Sequence, residues 1–196
     1  MDLPTSMRLV FDIETDGLLP DVTKAHCIVL KDIDTNEIIK PKLKKAMQLL
    51  SEADEIIGHN IIKYDIPALQ KLYGFYTEAK IFDTIVAARL MYPDIKDRDF
   101  RKKDFPKNMI GRHSLEAWGH RIGNYKSHIV TDWKEFTQEM LDYCVQDVEV
   151  TATLYNILTQ SKQPEALELE HKVAQIIFRQ EPVSYTHLRA HETPRH

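Results

Sequence analysis

The sequence has 196 residues, of which 43% are hydrophobic, and carries a formal net charge of −4. A chain of this size can bury one core, and its six Gly and nine Pro exclude a fibrous or low-complexity protein. No apolar run reaches the roughly 18 residues of a membrane span and no leader pattern opens the chain, so we expect a cytoplasmic monomer with no membrane partner. Cys27 and Cys144 lack metal-type spacing and are predicted to be reduced thiols.

Hydrophobic periodicity predicts that short strands alternate with helices along the chain. Strands are expected at 9–15, 26–31, 38–39, 55–58 and 81–83, and helices at 42–52, 65–73, 84–91, 114–121 and 137–158. The charged segment 93–108 is predicted to be an irregular loop. This order favours the α/β class, with a mixed sheet covered by helices on both faces.

The first predicted strand carries two carboxylates. Asp12 and Glu14 are two residues apart, so their side chains share one face of a strand, while Phe11 and Ile13 occupy the other. Two acids about 7 Å apart along a strand repel each other unless a cation lies between them. The pair therefore suggests a Mg²⁺ or Mn²⁺ site, although so short a pattern also arises by chance.

The long helix predicted near the end of the chain carries a third acid. Tyr143 and Asp147 are four residues apart and therefore project from one side of that helix. An acid in a helix that is apolar on several sides is costly to bury unless it is paired or bound to metal. The alternative is a solvent-facing stripe that Asp147 shares with Gln146.

A fourth acid follows the short buried strand at 55–58. Asp65 begins a predicted helix, where its side chain could simply cap the helix N-terminus. Asn60 and Tyr64 precede it at the carboxyl end of that strand, which is where open α/β sheets bind their ligands.

The segment 101–126 is basic although the chain as a whole is acidic. It has seven Lys or Arg residues against two acids, an excess of five positive charges. A solvated surface explains such a run by itself, but a polyanionic partner would also fit it.

In combination, Asp12-x-Glu14, Asn60-x3-Tyr64-Asp65 and Tyr143-x3-Asp147 resemble the three motifs of the DEDD proofreading exonucleases. The tyrosine four residues before the last acid is similar to the subgroup called DEDDy. Phe82-Asp83-Thr84 and the segments 114–119 and 140–148 resemble the N-terminal domain of phage replicative DNA polymerases of the A family. This resemblance spans roughly residues 7–160.

The resemblance implies a ribonuclease H-like fold and an enzyme that removes nucleoside 5′-monophosphates from the 3′ end of single-stranded or frayed DNA. It implies two divalent ions, Mg²⁺ or Mn²⁺, with Asp12, Glu14, Asp65 and Asp147 as ligands. Tyr143 would be catalytic by orienting the attacking water. Contacts to DNA are expected from Thr15, Leu18, Asn60, Tyr64, Arg101, Lys102, Lys103 and Arg112.

The resemblance also divides the chain. Residues 1–160 would be the exonuclease domain, and 161–181 the truncated start of a polymerase part whose remainder is the expected partner. Residues 182–196 resemble a translated sequencing adapter and are expected to be non-native and irregular, although their histidines could suggest metal binding. If the protein is phage-encoded, it would act in the host cell cytoplasm.

Two other functions remain open from the residues. A ribonuclease-D-like exoribonuclease would carry the same acids. No feature of the sequence excludes RNA as the substrate. A catalytically silent nucleic-acid-binding module is the alternative outside enzymes. It has no physical need to hold repelling carboxylates together.

Overall fold

The computed structural model describes residues 6–124, 133–160 and 163–191, with side chains as far as Gln180. Five strands form one mixed sheet in the order β3-β2-β1-β4-β5. The strands are β1 (Arg8–Thr15), β2 (Ala25–Asp32), β3 (Ile38–Ile39), β4 (Glu55–Gly58) and β5 (Lys80–Asp83). The first three pair antiparallel, whereas β4 runs parallel to both β1 and β5.

Seven helices surround this sheet in the described residues. They are α1 (Leu43–Glu52), α2 (Asp65–Tyr73), α3 (Thr84–Met91), α4 (Ile95–Phe100), α5 (Leu115–Ile122), α6 (Gln138–Leu158) and α7 (Pro164–His191). Side-chain caps begin three of them: Asp83 accepts the Ile85 N–H at α3, Ser114 the Ala117 N–H at α5, and Thr137 the Met140 N–H at α6. No helix in the described ranges combines the length and the hydropathy needed to cross a bilayer.

Both faces of the sheet are buried under helices. Side chains alternate between these two faces along each strand, so the strands contribute to two separate hydrophobic clusters. On one face Val10, Val29 and Ile57 pack with α3 and α6. On the other face Phe11 and Ile28 pack in a second cluster with residues of α1 and α2. The predicted mixed sheet with helices on both faces is therefore confirmed.

The prediction of an irregular loop at 93–108 is wrong, because this segment contains α4 and a 3₁₀ turn at Lys107–Met109. The sequence pattern missed α4 since its anchoring groups are distant. The Asp99 carboxylate is buried, accepting hydrogen bonds from the Arg121 guanidinium and from the Gly111 backbone N–H. Ile95 also enters the core.

The last helix differs from the predicted end of the chain. α7 continues past Pro182 to His191, so the backbone of the predicted irregular tail is helical up to that point. Once a helix has started, each further residue that is fixed gains one backbone hydrogen bond, whereas the first turn fixes several residues for one bond. Residues 192–196 lie outside the described part of the chain.

The first half of α7 packs on the sheet. Leu167 joins the core on the α3 and α6 side, and the buried His171 lies against Phe82 with ring centroids 5.1 Å apart. The His171 Nε2 accepts the backbone N–H of Asp83 at 2.8 Å. Part of the segment predicted to start a following domain thus contributes to the core of this one.

Candidate active site

The first strand places Asp12 and Glu14 on the face of the sheet that α6 covers. Asp12 is paired with Val29 and Glu14 with Cys27 in the antiparallel register of β1 and β2. A carboxylate oxygen of each acid and the Cys144 sulfur lie within 4.8 Å of one another. The pair predicted from the sequence therefore forms a compact group that faces the long helix.

Helix α6 crosses β1 and β2 and carries Tyr143, Cys144 and Asp147 towards this group. The Cys144 thiol donates a hydrogen bond to the Asp12 carbonyl oxygen at 3.3 Å, which fixes the helix against the strand. The Tyr143 ring packs edge-on against Trp133, with centroids 6.3 Å apart.

Asp147 does not share a solvent-facing stripe with Gln146. The Gln146 amide instead donates hydrogen bonds to Asn124, which follows α5. The Asp147 charge raises the pKa of both Asp12 and Glu14, although burial raises each of them more. The structure therefore does not support the alternative in which Asp147 and Gln146 form a solvent-facing stripe.

Asp65 is not a helix cap either. Tyr64 occupies the N-cap position of α2, and Asp65 is the first helical residue, with 4% of its surface exposed. The backbone N–H of Ile13, which lies between Asp12 and Glu14, favours the charged form of the Asp65 carboxylate and lowers its pKa, although burial raises the pKa more. The start of α2 therefore lies against the strand that carries the first two acids.

The four acids share a strong tendency to hold protons. Burial, followed by the charges of neighbouring carboxylates, raises the pKa of Asp12 well above its ordinary value and that of Glu14 to about 9. Burial likewise raises the pKa of Asp65 and of Asp147 to about 7 each. Such mutual repulsion is what a bound cation relieves, and a donor set made of carboxylate oxygens suits a hard divalent ion such as Mg²⁺.

Three of the predicted DNA contacts lie at or against the loop after β1. They are Thr15, Leu18 and, from the start of α2, Tyr64. The Tyr64 hydroxyl donates to the Gly17 carbonyl oxygen at 2.6 Å and also hydrogen-bonds the Thr15 hydroxyl. Thr15 is buried, whereas Leu18 is 75% exposed. The tied loop thus presents an apolar side chain to solvent next to the acids.

Asn60, a fourth predicted contact, is held by Asp83, for which the sequence suggested no role. The Asp83 carboxylate accepts the backbone N–H groups of Asn60 at 2.8 Å, Ile62 at 3.1 Å and Ile85 at 3.1 Å. Asn60 adopts the left-handed conformation, with φ of 67°, which asparagine tolerates better than most residues other than glycine. The sequence feature that could have indicated this role is the position of Asp83, an acid at the end of a predicted strand and directly before a predicted helix.

Gly58 allows the chain to turn tightly between β4 and Asn60. A Cβ atom at this position would lie 2.1 Å from the Ile61 Cγ2 and 3.1 Å from the Phe11 carbonyl oxygen. Because glycine has no side chain, the loop can approach β1 closely.

The four basic residues predicted to contact DNA belong to a different segment of the chain from the four acids. Arg101, Lys102, Lys103 and Arg112 are all exposed, on the segment between α4 and α5. Arg121 anchors this segment from α5, since its guanidinium pairs with the buried Asp99 and donates to the Arg112 carbonyl oxygen.

Cys27 and Cys144 are both free thiols, and they are close enough to shift each other's pKa, that of Cys27 downwards and that of Cys144 upwards. Cys144 is buried and Cys27 is partly exposed. No pattern in the sequence indicates that these two residues, on β2 and α6, are neighbours.

The fold and the site define a nuclease-like architecture that solved structures share. Brucella melitensis NrnC bound to pGG aligns with 98% of this chain and 93% of its own, at 20% identity and a TM-score of 0.60. The catalytic core of RRP6 from Trypanosoma brucei aligns with 88% of this chain and 46% of its own, at 17% identity and a TM-score of 0.56. These likenesses support the predicted ribonuclease H-like fold.

Sequence comparison identifies the family. A family model described as 3′-5′ exonuclease, from the A-family DNA polymerases, matches residues 6–162. The DNA-directed DNA polymerases of Escherichia phage T7 and Enterobacteria phage T3 are each 32% identical over 88% of this chain. The chain belongs to the 3′-5′ exonuclease domain family of these polymerases, as its motifs predicted. It spans about a third of the length of the two phage relatives, 32% of each.

Proposed function

We propose that this domain hydrolyses the 3′-terminal phosphodiester of single-stranded or frayed DNA and releases nucleoside 5′-monophosphates. The observation that carries the proposal is the convergence of four acids from three separate segments. Asp12 and Glu14 come from β1, Asp65 from the start of α2 and Asp147 from α6. The sequence kinship with phage DNA polymerases favours DNA as the substrate.

The acids would hold two divalent ions, Mg²⁺ or Mn²⁺. Asp12 would contact both ions, Glu14 and Asp147 would complete the site nearer the water, and Asp65 would hold the second ion. Bound there, such ions lower the pKa of water and stabilise negative charge on the attacking and leaving oxygens. A solved structure of Brucella melitensis NrnC, which is similar in fold, has bound Mg²⁺.

Tyr143 would orient the attacking water rather than bind metal. Burial, followed by the charges of Asp147 and Glu14, raises the pKa of its phenol, so the hydroxyl keeps its proton across the physiological range. A neutral hydroxyl can donate one hydrogen bond and accept another. That combination suits a group which must hold a water molecule in one orientation.

The loop after β1 would meet the terminal nucleotide. Leu18 is exposed and can contact the face of a base, while Tyr64 and Thr15 keep the loop in position. Asn60 would contact the strand end. Arg101, Lys102, Lys103 and Arg112 would bind the phosphates of the strand further from its end.

The wider setting is also a proposal. We infer that the domain proofreads for a polymerase part of the same full-length chain, in the cytoplasm of the host cell if the protein is phage-encoded. The relatives that support this inference are whole DNA polymerases.

A ribonuclease-D-like activity on RNA is the second candidate, favoured by the likeness in fold to RRP6 and NrnC. A silent binding module fits less well, because the four acids of the site are all present and face one another. Keeping them together without a cation would be costly.

The experiment that tests the proposal is digestion of a 5′-labelled 20-nucleotide strand, made once as DNA and once as RNA, with Mg²⁺ or with excess EDTA. We expect the DNA strand to shorten stepwise from its 3′ end only when Mg²⁺ is present. Equal digestion in EDTA would contradict the metal mechanism. Faster digestion of the RNA strand would favour the second candidate, and no digestion of either would favour a silent module.

A further inference from the structure

A cavity of about 420 Å³ lies beside the acid cluster, between the loop before α2, helix α3 and helix α7. Its walls are largely apolar, formed by Ile85 and Val86 from α3 and by Val173 and Ile177 from α7. Its volume falls within the range of about 300–1,000 Å³ that small-molecule sites occupy. Nothing in the proposed hydrolysis uses this space.

The cavity shares a wall with the active site. Asn60 and Ile62 line it, and they belong to the loop that leads directly into Asp65. Asp83 also lines it, and its carboxylate fixes Asn60 and Ile62 through their backbone N–H groups. A ligand in the cavity would therefore touch the segment that positions Asp65.

The charges around the opening are arranged asymmetrically. Arg89 and Lys63 are exposed on the side formed by α3 and the loop. Glu170 is exposed on the opposite side, on α7. The fourth charged group, Asp83, is 1% exposed and its oxygens already accept three N–H groups. An anion would thus be attracted to the α3 side and repelled from α7.

We propose that this cavity is a subsite for an unpaired nucleotide that lies upstream of the 3′-terminal nucleotide in the same strand. Its phosphate would lie near Lys63 and Arg89, and its base would pack against the apolar walls. Contact with aliphatic side chains uses the face of a base rather than its edge, so the subsite would accept any sequence. This inference rests on the proposed function, since it places the substrate strand at the acid cluster.

The alternative occupant is protein. Val173 and Ile177 on α7 are partly exposed, and a longer chain could cover this side of the helix. In that case the cavity would have no part in binding nucleic acid, and filling it would leave the dependence on substrate length unchanged.

The test compares single-stranded oligodeoxynucleotides of two, three, four and six nucleotides as substrates in Mg²⁺, with kcat and KM measured for each. Ala174→Trp places a large side chain in the cavity wall, and Gln175→Trp next to it is the matched control, because Gln175 does not line the cavity. We expect Ala174→Trp to raise KM about tenfold for four nucleotides or more, an effect comparable to one lost base contact, and to change it far less for two. Gln175→Trp should follow the wild type at every length.

The charged rim provides a second measurement that does not depend on the cavity filler folding well. Binding of a fluorescent six-nucleotide strand in EDTA should weaken severalfold in Arg89→Ala and tighten in Glu170→Gln. Arg98→Ala is the control, because Arg98 is an exposed arginine on α4 that lies outside the cavity. Opposite changes in the two rim variants support the subsite.

Either of two outcomes would overturn the proposal. In the first, Ala174→Trp has the KM of the wild type for every substrate length. In the second, Arg89→Ala and Glu170→Gln both bind the six-nucleotide strand with the affinity of the wild type. Failure of the proposed function gives a different result. There the wild type itself would hydrolyse none of the four substrates, whereas failure of the subsite alone leaves hydrolysis intact and independent of the variants.

Discussion

The Asp83 carboxylate accepts the backbone N–H of Asn60 at 2.8 Å across 23 residues of sequence. Asp83 ends β5 and also caps α3 by accepting the Ile85 N–H. Its second oxygen accepts the Ile62 N–H. One buried side chain therefore holds the loop that leads into Asp65.

Replacement Asp83→Asn should disturb that loop while preserving the size of the side chain. One accepting oxygen becomes an amide NH₂ group, which cannot accept a backbone N–H, so a buried donor loses its partner at a cost of about 1–3 kcal/mol. Displacement of a positioning loop by about 1 Å can slow a reaction on the order of 100-fold. We expect a lower kcat at saturating Mg²⁺, measured by single-turnover digestion.

The control for this variant is Asp32→Asn. Asp32 also accepts two backbone N–H groups, those of Asp34 and Thr35, but in the turn after β2 at the opposite end of β1 from the acids. Both N–H groups are accepted by one Asp32 oxygen, which an asparagine amide oxygen can replace, so this variant should change stability and rate little. If both variants slow the reaction equally at equal melting temperature, the loop is not the cause.

Tyr143→Phe and Asp147→Ala should differ although the two residues are one helical turn apart. Asp147→Ala removes a charge that the metal site needs and should abolish turnover. Tyr143→Phe keeps the ring against Trp133 and loses only the hydroxyl, so we expect a rate reduced on the order of 100-fold with Mg²⁺ affinity unchanged. Single-turnover rates at saturating Mg²⁺ decide the matter, and a wild-type rate for Tyr143→Phe would make it a packing residue.

The metal-free protein should lose stability as the pH rises. Asp65 and Asp147 have their pKa raised to about 7 by burial and Glu14 to about 9, whereas unfolded carboxyls titrate near 4. The folded state therefore binds more protons than the unfolded state between these values, and its stability falls from about pH 4 to pH 9. Melting temperatures in EDTA across this range should show the decline.

Mg²⁺ should reverse this loss most strongly at high pH, because the cation competes with protons for the same carboxylates. The shift in melting temperature on adding Mg²⁺ should be larger at pH 8 than at pH 6. Asp65→Asn should flatten the decline measured in EDTA. A shift independent of pH would show that the acids are not the groups which bind the ion.

Changing Arg101, Lys102 and Lys103 together to Ala should weaken the binding of single-stranded DNA and reduce its dependence on salt. Each lost phosphate contact lowers the slope of log K against log salt by about 0.7. The matched control is Lys42, Lys44 and Lys45 changed to Ala, since these lysines are equally exposed but lie at the start of α1, beyond the other face of the sheet. Equal slopes for the two triple variants would make 101–103 an ordinary solvated segment.

Deletion of residues 182–196 should leave activity and melting temperature nearly unchanged, as expected of a non-native tail. Deletion from Pro164 onwards is the informative contrast, because it removes the buried Leu167 and the His171 acceptor of the Asp83 N–H. That larger deletion should lower the melting temperature clearly. A loss of more than about 1 kcal/mol from the shorter deletion would show that the tail stabilises the domain.

The sequence by itself determined the local features. Side chains alternate along β1, so the shared face of Asp12 and Glu14 followed from their spacing, and 3.6-residue periodicity placed α1, α3 and α6 within one or two residues of their observed bounds. The motifs also identified the family correctly, because the spacing of acids within each motif is a local property.

Only the tertiary structure decided how distant segments meet. Asp65 could have capped its helix and Asp147 could have faced solvent, and their surroundings settled both questions. The roles of Asp83, Cys144 and His171 depend on hydrogen bonds that join residues up to 132 positions apart. The helix α4 was missed for the same reason, since its buried Asp99 is satisfied by Arg121, 22 residues away. Such contacts form only when the core closes, and no local pattern in the chain encodes them.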